Sequence, residues 1–169
     1  MIQATQLYKV NVPWDGTLSL SARPRGGDWL EDEIADWKQQ KADVVVSLLT
    51  EQEEQDLCLE REGELVRKRD MTFISFPIED RQVPPSAASV AELVHKMKVS
   101  LDAGKHVIVH CRQGIGRTGL IAACLLAESG METGAALDLL SAARGLPIPE
   151  TMEQKAWVER FAGKEPVSA

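Results

Sequence analysis

Hydrophobic residues along the chain follow two spacings that alternate with one another. Apolar runs of strand length lie at 44–49 and within 105–110, as in strands that are buried on both faces of a sheet. Apolar residues recur at helical spacing in 28–40 and 86–102. This alternation predicts an α/β fold in which strands and helices follow one another along the chain.

The remaining segments extend the same alternation. Asp28 and Ser86 are candidate caps for the helices that begin with them, and Gly104, Gly130 and Gly145 are placed to end helices. Further strands are predicted at 7–10, 18–21 and 72–76, and further helices at 51–60, 117–129, 133–143 and 149–162. We therefore expect a central, mostly parallel sheet flanked by helices, with ligands bound beyond the carboxyl ends of its strands.

Length and charge restrict the organisation of the molecule and its partners. The 169 residues are 44% hydrophobic, so we expect a single domain over 1–169, monomeric, with 163–169 as a frayed tail. No stretch of the sequence approaches membrane-spanning length. The net charge of −7 argues against a general nucleic-acid binder. We expect neither a membrane nor a nucleic acid as partner.

The cysteines indicate a reducing compartment. Cys58, Cys111 and Cys124 form an odd and sparse set that suggests no disulfide framework. Residues 1–9 are too polar for a signal peptide. We expect a cytoplasmic protein.

The run 110–119 carries the chemistry of the chain. It reads His-Cys-Arg-Gln-Gly-Ile-Gly-Arg-Thr-Gly between an apolar strand and a helix-forming stretch. Glycines allow a loop to point successive N–H groups inward as an anion cradle, and a helix N-terminus adds further N–H groups. Arg117 can hold two phosphate oxygens in a planar fork. The same positive field favours the thiolate form of Cys111, which makes it a candidate nucleophile toward phosphorus.

Simpler interpretations of this run are less consistent with the whole pattern. An isolated cysteine is most often a small buried hydrophobe, and a glycine-rich turn after a strand is most often only a turn. The spacing of Gly114, Gly116 and Gly119 does not match a dinucleotide-binding loop, and no Gly-Lys-Ser/Thr follows. The combination favours a functional phosphate loop.

The run resembles the signature of cysteine-dependent protein phosphatases, in which a His-Cys pair is followed after five residues by Arg and then Ser or Thr. It is most similar to the dual-specificity branch that includes the cyclin-dependent-kinase-associated and Cdc14-like enzymes. The resemblance extends to 76–80 with Pro84, as in the acid loop of that branch, to 136–154, as in its closing helices, and weakly to a turn at 21–26 near the site entrance. It implies a protein-tyrosine-phosphatase-like fold and a single phosphatase domain.

The chemistry of such a site gives the residues their expected roles. Cys111 attacks phosphorus and forms a cysteinyl-phosphate, which water hydrolyses. The basic leaving oxygen requires a general acid, and the spacing in the family favours Asp80 over its neighbour Glu79. The hydroxyl of Thr118 is expected to hydrogen-bond the sulfur and help it to leave in the second step. The expected phosphate-binding residues are Arg112, Gln113, Gly114, Ile115, Gly116 and Arg117.

Several residues outside the motif also have expected roles. His110 is expected to orient the loop through its ring nitrogens. Gln154 either positions the hydrolytic water or is an exposed helical residue without a role, and Arg144 either contacts substrate or ties down the loop. Cys124 is expected in the core, and Cys58, in a charged helix, has no evident role. We expect no cofactor and no metal, since the histidines have no cluster partners.

The expected substrate is a phosphorylated protein carrying phosphotyrosine and also phosphoserine or phosphothreonine. The chain has one tyrosine and no recognisable aromatic wall for a deep pocket, which favours a shallow site. The alternatives are a phosphoinositide or RNA 5′-phosphate phosphatase and a non-catalytic phosphoprotein-binding module. Arsenate reduction or sulfur transfer would require a second reactive thiol or an acceptor.

Overall fold

The computed structural model describes residues 3–163 and has the predicted α/β architecture. The strands are β1 Leu7–Val10, β2 Thr17–Ser21, β3 Val44–Ser47, β4 Thr72–Ser75 and β5 His106–His110. The helices are α1 Leu30–Gln39, α2 Glu51–Asp56, α3 Glu62–Lys68, α4 Ala87–Asp102, α5 Gly116–Glu128, α6 Thr133–Arg144 and α7 Met152–Ala162. Each strand and helix predicted from the sequence is present, with boundaries that differ by a few residues.

The sheet has the strand order β1-β2-β5-β3-β4. Only the edge strand β1 is antiparallel to its neighbour, and the other three pairings are parallel. The expectation of a mostly parallel sheet is therefore confirmed. The central strand β5 lies between β2 and β3, so the loop that follows it emerges among the carboxyl ends of three parallel strands.

Alternate residues of the inner strands point to opposite faces of the sheet and join two separate cores. Val44 and Val46 of β3 belong to a large core shared with α4, α5, α6 and α7, whereas Val45 between them belongs to a smaller core shared with α1 and α3. Both faces of β3 are therefore covered, which explains its nearly continuous apolar sequence.

Two helices differ from the sequence-based expectation. The helix predicted at 51–60 ends at Asp56, and Cys58 follows in a left-handed conformation (φ 57°), so this cysteine lies in a turn. A second short helix, α3, was not predicted, because its sequence is mostly charged and shows little helical periodicity.

Helix starts also differ in detail. Asp28 does not cap α1: it lies in a 3-10 turn, and Trp29 occupies the cap position without a side-chain hydrogen bond. Ser86 caps α4 as expected by accepting from the Ser89 N–H, and Gly145 ends α6 in the left-handed conformation. The final helix starts at Met152, not at 149, because Thr151 caps it.

Two of the expectations concern membranes and the chain end. Among residues 3–163, no helix has the length and apolar character needed to cross a membrane. The frayed tail expected at 163–169 lies outside the described residues, except for Gly163.

Candidate active site

The nucleophile loop, residues 111–115, connects the end of β5 to the start of α5. At Gly114 the backbone is left-handed (φ 74°), and a Cβ there would lie 2.5 Å from the Ser21 carbonyl oxygen at the end of β2. A side chain at this position would therefore both strain the backbone and collide with the neighbouring strand. Glycine is required for the loop to fold back against the sheet.

Cys111 lies at the floor of this loop with only 3% of its surface exposed. Its Sγ accepts a hydrogen bond from the Gly114 N–H at 3.3 Å. Ile115 precedes α5 and provides no side-chain cap, which leaves the first N–H groups of the helix available to an anion. These N–H groups and the helix dipole favour negative charge on the sulfur or on a bound phosphate.

Arg117, in the first turn of α5, is almost completely buried, with 1% exposed. Its guanidinium donates to both carboxylate oxygens of Glu53, at 2.6 and 2.9 Å, to the Ile78 carbonyl at 2.8 Å and to Asp80 Oδ1 at 3.0 Å. Burial alone would lower the pKa of Arg117. The hydrogen bond that Arg117 donates to Glu53 and the charges of Cys111, Glu53 and Asp80 raise this pKa more than burial lowers it, so the guanidinium stays charged.

Glu53 holds Arg117 in place, a role that sequence analysis did not assign. It belongs to the capping box of α2, in which Thr50 accepts from the Glu53 N–H and Glu53 accepts from the Thr50 N–H. Burial raises the pKa of Glu53, but the hydrogen bonds from Arg117 and Thr50 lower it more, so its net shift is downward. The Thr-x-x-Glu sequence predicts the helix cap, but no neighbouring residue indicates that Glu53 will bind Arg117, 64 positions away.

The acid loop, residues 76–85, brings Asp80 to the site and leaves its side chain 49% exposed. Asp80 lines one cavity of about 100 Å³ together with Cys111 and Arg117, whereas Glu79 does not. The other lining residues are Arg81, Arg112, Gln113, Gly116 and Glu150. A wider cleft of about 400 Å³ elsewhere shares none of these lining residues. The reactive groups thus meet in a space suited to a phosphate group.

The comparison with known families agrees with this geometry. Residues 21–131, more than half of the chain, match the family described as the DSP-PTPase phosphatase of polymorphic toxin systems. The chain belongs to this DSP-PTPase phosphatase family. Its membership confirms the predicted resemblance to the dual-specificity branch of cysteine-dependent phosphatases.

Individual relatives are similar in sequence to only part of this DSP-PTPase chain. It is 31% identical to cyclin-dependent kinase inhibitor 3 of Sus scrofa over 90 residues, 52% of this chain and 42% of that protein. It is 30% identical to protein tyrosine phosphatase type IVA 3 of Mus musculus over 101 residues, 59% of this chain and 57% of that protein. The chain therefore spans about half the length of these relatives.

A solved structure shows the same fold over nearly the whole length. The kinase associated phosphatase, crystallised with serine in place of its catalytic-site cysteine, superposes with a TM-score of 0.90 at 21% identity, covering 97% of both chains. The expected protein-tyrosine-phosphatase-like fold is confirmed.

Other predicted residues of this DSP-PTPase domain lie around the cavity in different ways. Thr118 is buried, and its hydroxyl has no hydrogen-bond partner within residues 3–163, so its expected contact with sulfur stays a prediction. Arg112 is 43% exposed and approaches Glu53 at 3.7 Å. Gly114 donates its N–H to the Cys111 sulfur, and Ile115 packs against the core; neither residue lines the cavity.

His110 is completely buried and bridges two parts of the structure. Its Nε2 lies 2.6 Å from Glu62 Oε2 in α3, and its Nδ1 lies 3.4 Å from the Cys111 carbonyl. This arrangement fits the expected role in orienting the nucleophile loop. Glu62 was not singled out in the sequence because α3 itself was not predicted.

Arg144 and Gln154 support neighbouring loops. Arg144 donates to the Gln113 carbonyl at 2.9 Å and stacks 4.1 Å from the ring centre of Tyr8, so it ties down the nucleophile loop. The expectation that Gln154 is exposed is wrong: its side chain is fully buried, caps α7 and donates to the Gln82 carbonyl of the acid loop at 3.2 Å. Helix α7 packs against α5, which turns this residue inward.

The cysteines outside the motif differ in environment. Cys124 is in the core, as expected, and burial raises the pKa of its thiol, so it stays protonated. Cys58 is exposed. Within the described part of the chain, no three His, Cys, Asp or Glu side chains are grouped so as to hold a metal ion.

Proposed function

We propose that the protein hydrolyses phosphate monoesters on proteins, both phosphotyrosine and phosphoserine or phosphothreonine, through a cysteinyl-phosphate intermediate. The observation that carries the proposal is the convergence of Cys111, Arg117 and Asp80 on one small cavity. These groups supply a nucleophile, a fixed positive charge and a proton, which are the three requirements of phosphoester cleavage by a thiol.

In the first step, the Cys111 thiolate bonds to phosphorus while the bond from phosphorus to the leaving oxygen breaks. Asp80 in its acid form donates its proton to that oxygen. The guanidinium of Arg117 and the N–H groups of 112–117 stabilise the charge on the three remaining oxygens. The products are the free hydroxyl group of the substrate and a phosphocysteine.

In the second step, water attacks the phosphocysteine and gives a proton to the Asp80 carboxylate. The phosphorus–sulfur bond breaks, inorganic phosphate forms, and the thiolate of Cys111 is regenerated. We expect the hydroxyl of Thr118 to hydrogen-bond the departing sulfur. Asp80 ends the cycle as an acid, so the proton count balances.

A protein substrate fits the site better than a multiply phosphorylated lipid or RNA. The interior of the nucleophile loop has one cationic side chain, Arg112, besides Arg117, whereas further phosphates would require more positive charge. Tyr8 packs under Arg144 and is engaged there, which favours a shallow pocket without a tyrosine wall. The relative named protein tyrosine phosphatase type IVA 3 supports the same class of substrate.

We further propose that the protein acts as a monomer in the cytoplasm. All three cysteines are free thiols, and Cys111 must stay reduced to act. A reducing compartment maintains that state.

A substrate panel tests the proposed function. Phosphotyrosine and phosphoserine peptides, a phosphoinositide and a 5′-triphosphate RNA are compared at equal concentration, and phosphate release is measured. We expect release from the peptides, and mass spectrometry after acid quenching should find one phosphoryl group on the Cys111 peptide. Faster release from the lipid or the RNA would replace the proposed substrate class, and binding of phosphopeptides without release would indicate a non-catalytic module.

A further inference from the structure

The acid loop is tied to the site partly through a group that the substrate also needs. Arg117 donates to Asp80 Oδ1 at 3.0 Å and to the Ile78 carbonyl at 2.8 Å. A phosphate bound in the cavity accepts hydrogen bonds from the same guanidinium and competes with the acid loop for it. Asp80 also has to carry a proton to act as the acid, which weakens its ion pair with Arg117. Contacts that do not involve Arg117 must then hold the acid loop against the site.

One such contact joins Arg81 to Glu150, which lies just before α7. The Arg81 Nη1 atom lies 3.5 Å from Glu150 Oε1, with side chains 60% and 27% exposed. Arg81 has a left-handed backbone (φ 62°), which is uncommon for a residue with a Cβ and persists where surrounding contacts stabilise it. The strained residue is the direct neighbour of Asp80.

A hydrogen-bond path through the buried Gln154 runs beside the ion pair and connects the same two segments. Gln154 Nε2 donates to the Gln82 carbonyl at 3.2 Å, and Gln154 Oε1 accepts from the Glu150 N–H at 3.1 Å. Two adjacent residues of the acid loop, Arg81 and Gln82, are thus attached to the start of α7 without any contribution from Arg117.

The charge of Glu150 would be unfavourable at this place without Arg81. Glu150 lines the cavity that contains Cys111, and its Oε2 lies 2.9 Å from where a Cβ of Gly116 would be. A carboxylate beside a phosphate dianion raises the energy of the bound state. Pairing with Arg81 neutralises it and places a cation at the rim of the cavity.

We infer that Arg81 and Glu150 are positioning residues that form a latch, holding the acid loop closed so that Asp80 faces the leaving oxygen. The inference rests on the proposed function for its catalytic consequence. The contact itself is a property of the loop, and it can be measured independently of turnover.

Leaving-group dependence tests the catalytic consequence. Glu150→Gln should lower kcat/KM about three- to fivefold for phenyl phosphate, the scale of an exposed ion pair. It should leave kcat/KM for an activated dinitrophenyl phosphate unchanged, because that leaving group needs little protonation. In an Asp80→Asn background, Glu150→Gln should have no further effect. An equal loss with both esters would indicate a merely structural role and overturn the latch.

The two partners of the latch should differ in their effect on substrate affinity. Arg81→Ala leaves Glu150 unpaired beside the phosphate, so KM should rise about threefold in addition to the loss in kcat. Glu150→Gln leaves no unpaired carboxylate beside the phosphate, so it should not raise KM. The double variant should be no slower than Arg81→Ala and should recover the KM of the wild type. Additive losses in the double variant would show that the two residues act separately.

Amide hydrogen exchange measures the latch without turnover. The Gln82 N–H donates to the Glu79 carbonyl at 3.0 Å within the acid loop, so its exchange measures how well the latch keeps this turn ordered. Its exchange should be about three- to fivefold faster in Glu150→Gln. Glu64→Gln is the control, since it breaks exposed ion pairs of similar length, with Arg61 at 3.5 Å and Lys68 at 3.4 Å, and it should change neither the exchange of Gln82 nor the kinetics.

The two measurements distinguish the latch from the proposed function. Absence of Cys111-dependent turnover would refute the proposed function, and the exchange at Gln82 would then decide the latch alone. Unchanged exchange in both Glu150→Gln and Arg81→Ala would overturn the latch, whatever the activity.

Discussion

The nucleophile loop and the acid loop meet at one cavity but are held there by different forces. Cys111 comes directly after the central strand β5, and Arg117 lies in the first turn of α5. Their exposed fractions are 3% and 1%. The Asp80 side chain is 49% exposed. The side-chain contacts around it are the ion pairs Asp80–Arg117 and Arg81–Glu150 and the hydrogen bond from Gln154 to the Gln82 carbonyl. Cys111 and Arg117 are thus part of the core, whereas Asp80 lies on an exposed stretch of the acid loop that is attached to the core.

This difference separates the two halves of the reaction. Moving the nucleophile requires the sheet and α5 to reorganise, which close packing resists. Moving the acid requires the loss of ionic contacts that are weak in water and of a few hydrogen bonds to the loop, such as the one from Gln154 to the Gln82 carbonyl. We therefore expect substitutions of Cys111 and Arg117 to lower kcat/KM equally for every substrate. Substitutions in the acid loop should lower kcat/KM more for substrates with poorer leaving groups.

The largest effect is expected from the nucleophile. Cys111→Ser should lower turnover of an aryl phosphate by at least about 10⁴-fold, because a hydroxyl stays protonated at this site and attacks poorly. Affinity for vanadate should be largely retained, since the cradle of N–H groups and Arg117 is unchanged. Steady-state kinetics and vanadate inhibition or binding measure the two quantities.

The control for this prediction is the exposed thiol. Cys58→Ala should keep the activity of the wild type, and so should treatment with a metal chelator. Residual turnover in Cys111→Ser within tenfold of the wild type would refute the cysteine mechanism.

The next effect concerns the acid and depends on the leaving group. Asp80→Asn should lower kcat/KM about 10³-fold for a phosphoserine peptide, and much less for an activated aryl phosphate that needs little protonation. The pH profile of the wild type should be bell-shaped, with a rising limb from ionisation of Cys111 and a falling limb from loss of the Asp80 proton. In Asp80→Asn the falling limb should disappear.

Glu79→Gln is the matched control, one residue away on the same loop. It should leave both the leaving-group dependence and the falling limb unchanged. If it removes the falling limb and Asp80→Asn does not, the two carboxylates have been assigned in the wrong order.

An intermediate effect is expected from the arginine. Arg117→Lys keeps the positive charge but loses the planar fork that binds two oxygens, so kcat/KM should fall about 10²-fold. The loss should be the same for good and poor leaving groups, because Arg117 belongs to the nucleophile side of the comparison. Arg112→Ala, which removes a half-exposed side chain of the same loop, should cost far less. A larger loss of kcat/KM in Arg112→Ala than in Arg117→Lys would reverse the roles assigned to the two arginines.

The smallest effect comes from the partner of Arg117. Glu53→Gln should lower kcat/KM about fivefold for all substrates, because the guanidinium loses the carboxylate that orients it. Glu51→Gln, an exposed change on the same helix, is the control and should have no effect. A loss confined to poor leaving groups would place Glu53 on the acid side of the comparison.

Glu53 also gives a pH-dependent contribution to stability. Its pKa in the folded protein is below the ordinary value of 4.5, since the hydrogen bonds from Arg117 and Thr50 outweigh burial. The folded state therefore binds the proton less tightly than the unfolded state, and the contribution is fully present above about pH 4.5 and is lost as the pH falls through the folded pKa. The difference in Tm between the wild type and Glu53→Gln should shrink in this acid range. A Tm difference that does not change with pH would contradict the ion pair between Glu53 and Arg117.

The residues that could be predicted from the sequence are those whose arrangement is local. The cysteine and glycine of the nucleophile loop and the glycine and arginine that begin α5 lie within seven consecutive positions, 111–117. A strand, a turn and a helix start are therefore enough to bring them together. The alternation of apolar segments likewise predicted the strands and the layers of the fold, since burial of a strand or helix face depends on nearby residues.

What only the tertiary structure decided are the contacts between distant segments. Glu53 reaches Arg117 across 64 positions because β3 pairs with β5, and Glu62 reaches His110 across 48 positions through a helix with little periodicity of its own. Gln154 is buried because α7 packs against α5, although its own sequence suggests an exposed residue. Sequence spacing determines chemistry within one turn of chain, whereas the partners that orient a charged group depend on which strands and helices become neighbours, and packing of the whole core decides that.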